Sequence, residues 1–339
     1  MRRTAIVSLV LLAGLLAGDV LAWRWAEDRL ESGYADWLTA RRAEGWVITA
    51  DAPVRGGWPL AARLDIPRMT VAGGLPGQPA AMSWTAEHVA LILVPTAPRT
   101  LNISFSGQQR IQLVGAPEIG FTAERMNATT PLIPATPEAA GMDVDIGNLR
   151  AALPSGDLTV TRLQLHGDAA QSFSLSAGDI ALPPLGTGAT WPLGPHIASL
   201  VISGDIVGNL PIAPALSAQA VAWRNAGGKV ELQRASIGWG PLGVTGQGSL
   251  ELDERLQPMG TATLRIVGYD QALDAMARGG SLQPRVAGAA KAVLDLIAHT
   301  PDGGGAPLVD APLTLRDGQL TIGQIPVARL PPMVWPNAQ

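Results

Sequence analysis

The chain has 339 residues, of which 47% are hydrophobic and only 15% charged, with 39 glycines, 28 prolines and no cysteine. A formal net charge of −4 removes the electrostatic case for binding nucleic acid. The lack of cysteine excludes an acylated lipoprotein anchor, disulfide staples and thiolate metal sites.

Residues 4–25 follow Arg2 and Arg3 as an apolar run of the length that a bilayer-spanning helix needs. The two arginines place the N-terminus in the cytoplasm and the bulk of the chain in the periplasm. Trp23 and Trp25 are expected at the membrane interface, which indoles favour. Residues 1–25 therefore read as a single-pass inner-membrane anchor or uncleaved signal. Cleavage after the small-x-small site Val20-Leu21-Ala22, releasing a periplasmic form, is the alternative.

Over residues 26–44 the spacing predicts an amphipathic helix. Ala26, Leu30, Tyr34, Trp37 and Leu38 make one apolar stripe, Glu27, Asp28 and Glu31 fall outside it, and Gly45 is a stop. Such a stripe packs either on a following sheet or on a lipid surface.

From Trp46 the period becomes two, and mainly β structure is expected. Gly56-Gly57-Trp58-Pro59 is a turn between strands near 47–51 and 62–71, followed by strands near 84–94, 101–105, 111–113 and 119–123. Residues 127–141, rich in Pro, Thr and Ala, read as a loop. A second break at 182–195 divides a first β-rich half, 45–190, from a second, 191–339.

The second half contains the most regular alternation, Val244 to Asp253, then another strand over 261–266. A short helix is expected over 270–278 with Leu273, Met276 and Ala277 inward. A longer helix is expected over 284–299, with Val286, Ala289, Val293, Leu294 and Ile297 as its inward stripe. Asp317-Gly318 marks a closing hairpin.

Candidate chemistry is sparse. Gly238-Trp239-Gly240-Pro241-Leu242-Gly243 has the letters of a dinucleotide motif, but a strand follows where a helix must open, so a hairpin turn is expected. His88, His166, His196 and His299 lack ligand spacing. Asp143 and Asp145 share one strand face, the placement of an acid/base couple or of two solvent-facing aspartates. No catalytic residue, metal site or cofactor is expected. The ten tryptophans either fill core or line a groove for acyl chains or sugars.

Arg55-Gly56-Gly57-Trp58-Pro59-Leu60, Arg63-Leu64-Asp65-Ile66 and the tail Leu315 to Leu320 with Ile325-Pro326 resemble the alphaproteobacterial family called domain of unknown function 2125. The resemblance covers nearly the whole chain and brings no site residues with it. Residues 244–277 are similar, more weakly, to AsmA-like envelope proteins, which implies periplasmic β-sheet behind an inner-membrane helix.

The fold expected is an N-terminal membrane helix followed by one or more curved antiparallel sheets, as a groove or a sandwich, with a few packed helices. The function expected is non-enzymatic: lipid handling or envelope-assembly scaffolding through an apolar sheet face, with phospholipid or another acyl-chain ligand. A protein–protein interaction module with an envelope partner is the alternative, and an envelope hydrolase a remote one.

Overall fold

The change of period at Trp46 is a change of secondary structure. In the computed structural model one continuous helix, α1 (Arg2–Ala43), precedes it and strands follow. The structure describes residues 2–335 except 74–81, 114, 137–138, 187–189, 209–215, 301–305, 324 and 334, with the backbone alone described at 2–13, 15–17, 216 and 325–327. Much of the apolar run 4–25 thus has side chains outside the described residues. Among the described residues no helix is long and apolar enough to cross a membrane.

The strands are β1 (Val47–Thr49), β2 (Val54–Gly56), β3 (Ala62–Gly73), β4 (Met82–Leu93), β5 (Thr100–Leu113), β6 (Ile119–Thr122), β7 (Arg125–Pro131), β8 (Met142–Leu153), β9 (Gly156–Gly167) and β10 (Ser172–Ala181). They continue as β11 (His196–Val207), helix α2 (Leu216–Asn225), β12 (Lys229–Trp239), β13 (Leu242–Leu252) and β14 (Pro258–Val267). Helices α3 (Tyr269–Arg278) and α4 (Pro284–Ile297) come next, then β15 (Leu308–Arg316), β16 (Gln319–Ile322) and β17 (Ile325–Arg329).

Among the described residues all seventeen strands belong to one sheet. Short β1 and β2 both pair with β3, and from there almost every strand pairs antiparallel with its sequence neighbour. The exception is β6 and β7, which together occupy one place between β5 and β8. Hairpin-length connections favour this meander, because only antiparallel neighbours can be joined so briefly.

The turn residues behave as their chemistry requires. Asp317 and Gly318 both have positive φ, 53° and 71°, between β15 and β16. Gly240-Pro241 closes the β12–β13 hairpin, with Trp239 opposite Leu242, so the GxGxxG letters are a turn.

Three expectations are corrected. Residues 127–131 of the expected loop form most of β7: Ala128 is buried between Ile103 and Val144, and β-branched Thr129 and Thr130 suit a strand paired on both sides. Residues 137–138 of that loop lie outside the described residues. The inward stripe expected for α4 is overturned in part: Val286, Ala289, Val293 and Ile297 are exposed, whereas Leu294 packs inward as expected, together with buried Ala287. The Tyr269 hydroxyl on α3 bonds the Asp295 carboxylate at 2.9 Å, which turns the small-residue side of α4 inward. Helix α2 lies where no element was expected.

The break at 182–195, of which 187–189 lie outside the described residues, connects β10 to β11. Those strands pair from Ala181–His196 to Ser172–Asp205, so the two β-rich stretches share one sheet.

Helix α1 packs on β3 and β1. Leu30 and Tyr34 join Leu64, Ile66, Met69 and Val89 in the first core, while Trp37 is partly exposed. Helices α3 and α4 cover the other end, where Tyr269 and Leu294 pack with Val309, Ala311, Ile266 and Ile322.

Candidate functional site

Strand register places apolar residues opposite apolar residues, strand after strand. One unbroken row runs Leu64–Leu91–Ile103–Ala128–Val144–Leu165 from β3 to β9. It continues Leu175–Ile202–Ala235–Gly246–Leu264–Ala311 to β15. A second row beside it reads Met126–Ile146–Leu163–Ala177–Leu200–Ile237–Val244–Ile266–Val309. At about 4.8 Å between neighbouring strands the first row is about 50 Å long along the sheet.

Among the described residues helices cover the ends of these rows, whereas the middle of the first row is half-exposed and Ile146 and Ala177 in the second row are buried, Ala177 in a small core with Val160 and Ile180. Helix α1 lies over the β3 end and α3 with α4 over the β15 end. Between them Val144, Leu165, Leu175, Ile202 and Ala235 are only half-buried, shielded by their strand neighbours. Glycines sit on the same face among large residues, as in Gly167–Phe173–Gly204–Leu232–Gly248–Ala262. A Cβ at Gly204 would collide with the Glu231 carbonyl, and one at Gly248 with that of Thr261. Adjacent strands therefore approach closely on this face, and only glycine permits that approach. The result is a one-layer sheet with an apolar trough between two helical caps.

The opposite face is polar and internally paired. Asp145 accepts from Arg125 at 2.9 Å and from Gln164 at 3.3 Å, and the Arg125 bond holds its carboxyl below the usual range. Asp143 instead meets His166 Nδ1 at 2.7 Å. The two aspartates thus have separate partners. On β15, Asp310 lies 3.3 Å from Arg265 and 3.5 Å from His299. A polar depression of about 590 Å³ on this face is lined by Arg234, Gln247, Thr263 and Arg265 among others. Among the described residues no three His, Asp or Glu side chains are grouped to hold a metal ion. His88 and His196 are exposed and stand apart from these pairs.

Trp23 and Trp25 differ in surroundings. Trp23 packs on the first core and its indole donates to the Ala61 carbonyl at 3.1 Å, whereas Trp25 is 65% exposed. Several other tryptophans pin loops to strand ends. Trp191 bonds the Pro183 carbonyl at 2.8 Å, Trp239 that of Gly194 at 2.7 Å, and Trp223 that of Val207 at 3.0 Å.

Glu27 was not foreseen as a buried group. It is 3% exposed beneath β2, one carboxylate oxygen lacks a partner among the described residues, and burial raises its pKa despite Arg55 nearby and the Gly56 amide. Its place beside the apolar stripe was readable, but Arg55 closing over α1 was not. Arg55 bonds Asp28 at 2.8 Å and also Glu31, across α1 and β2.

Sheet, trough and caps define a helix-capped, one-sided β-meander without a grouped catalytic constellation among the described residues. The chain belongs to the family described as uncharacterized protein conserved in bacteria (DUF2125), which matches residues 23–331. Neither a curated protein nor a solved structure matches it.

Proposed function

We propose that this protein is a non-enzymatic lipid-handling or envelope-scaffolding protein whose apolar trough receives acyl chains. Residues 4–25 hold it in the inner membrane and its bulk lies in the periplasm, as in AsmA-like envelope proteins; the family's alphaproteobacterial scope belongs to the same reading. The observation that carries it is the apolar row from Leu64 to Ala311, half-exposed through its middle. Leaving such a face to water is costly at about 25 cal/mol per Å², and an acyl chain removes that cost without polar demands.

The test is photo-crosslinking of full-length protein in vesicles containing a phospholipid with a diazirine in its acyl chain. Adducts on Leu165, Leu175 or Ile202 are expected. Adducts restricted to residues 4–25 would sink the proposal.

A second reading, an envelope protein partner, is favoured by the exposed apolar side of α4, where Leu296 is 85% exposed. A protein captured at α4 with no acyl adduct in the trough would select it.

A further inference from the structure

The bond from Trp23 to the Ala61 carbonyl marks where α1 leaves the sheet. Residues after it pack on β3, and the helix continues before it back to Arg2. Large apolar side chains are exposed around that exit. Trp25 is joined by Trp58 and by Leu60, 81% exposed, in the turn leading to β3. At the same strand end, reached through β4 and β5, lie Leu132 and Ile133, the latter 73% exposed. The Leu132 amide bonds the Arg99 carbonyl at 2.7 Å, which ties this loop to the start of β5, and the Arg99 side chain is exposed.

We infer that this patch docks on the bilayer that residues 4–25 enter, which sets the α1-capped end of the sheet at the membrane surface; the inference rests on the proposed membrane attachment. Three features choose lipid over a protein occupant. The patch surrounds the exit of a helix whose preceding residues are apolar for the length of a span. It carries two exposed indoles, Trp25 and Trp58, the side chain that favours the membrane–water boundary. Polarity also changes in the right direction: one to two turns along α1 beyond Trp25, further from residues 4–25, Asp28 and Glu31 meet Arg55 in a charged belt. Ala62, Leu93 and Leu101, the row at this end of the sheet, then lie just inside the patch.

The chain has no cysteine, so single labels are unambiguous. Leu60→Cys, Ile133→Cys and, at the opposite end of β5, Leu113→Cys are each labelled with an environment-sensitive fluorophore in full-length protein. The protein is reconstituted in phosphatidylethanolamine–phosphatidylglycerol vesicles carrying doxyl-labelled lipid. Quenching severalfold stronger at 60 and 133 than at 113 is expected. Equal quenching at all three sites overturns the inference, as does a blue-shifted but unquenched label at 60, which would mean that protein covers the patch. Acyl adducts on Leu175 report the trough independently: adducts without quenching at 60 leave the trough standing alone, and quenching without adducts leaves the patch alone.

Discussion

The Trp23 indole donates to the Ala61 carbonyl across 38 residues of sequence, and this bond joins helix α1 to the turn that opens β3. It sits where the packed part of α1 begins, so the helix direction and the sheet edge are set together. A net hydrogen bond of this kind contributes about 1 kcal/mol. Trp23→Phe keeps most of the packing and loses the donor, so a fall in unfolding free energy of about 1 kcal/mol is expected in urea titration. No change would show that the bond is replaced by water.

Glu27 makes folding pH-dependent. Its folded-state pKa is raised by burial, so the folded chain holds that proton more tightly than the unfolded one. The contribution is fully present below the unfolded value and is lost as pH rises through the folded value. Urea midpoints should therefore fall from the ordinary carboxylate range upward toward neutrality. Glu27→Gln should flatten this part of the profile and be no less stable at neutral pH. Parallel profiles for the two proteins would refute the assignment.

Within the trough, a paired change of Leu175→Gln and Ile202→Gln places amides opposite each other on β10 and β11. Both sites are half-buried, so a stability loss of about 1–2 kcal/mol is expected. Acyl crosslinking to the neighbouring Leu165 should fall severalfold. Undiminished crosslinking would remove the middle of the trough from the lipid path.

The two sides of α4 separate in a denaturation experiment. Val293→Lys, on the exposed side, should stay within about 0.5 kcal/mol of the parent. Leu294→Ala, packed against the Val309 cluster, should cost about 2 kcal/mol. The reverse ranking would restore the orientation that the spacing of Val286, Val293 and Ile297 suggests.

At the closing hairpin, Gly318 has φ of 71°. Gly318→Ala should destabilise by about 1 kcal/mol, because a Cβ disfavours that region. Faster amide exchange in β15 and β16 would locate the loss. Unaltered exchange would mean that the turn relaxes without disturbing its strands.

Sequence determined which residues share a face. The period-two pattern of residues 244–253 already places Val244, Gly246, Gly248 and Leu250 together, because strand side chains alternate whatever the surrounding fold. It also determined the stripe of Leu30 and Tyr34 and the turn at Asp317-Gly318, since caps and turns are local chemistry. Tertiary structure decided how those faces are joined. Leu175 meets Leu165 and Ile202 only through strand register, and nothing near Leu175 in sequence specifies either partner. The inward side of α4 and the burial of Glu27 were likewise decided at a distance, by Tyr269 bonding Asp295 and by β2 folding over α1. An apolar stripe states that a face must be covered; only the packed chain determines which face is covered and which is left as the trough.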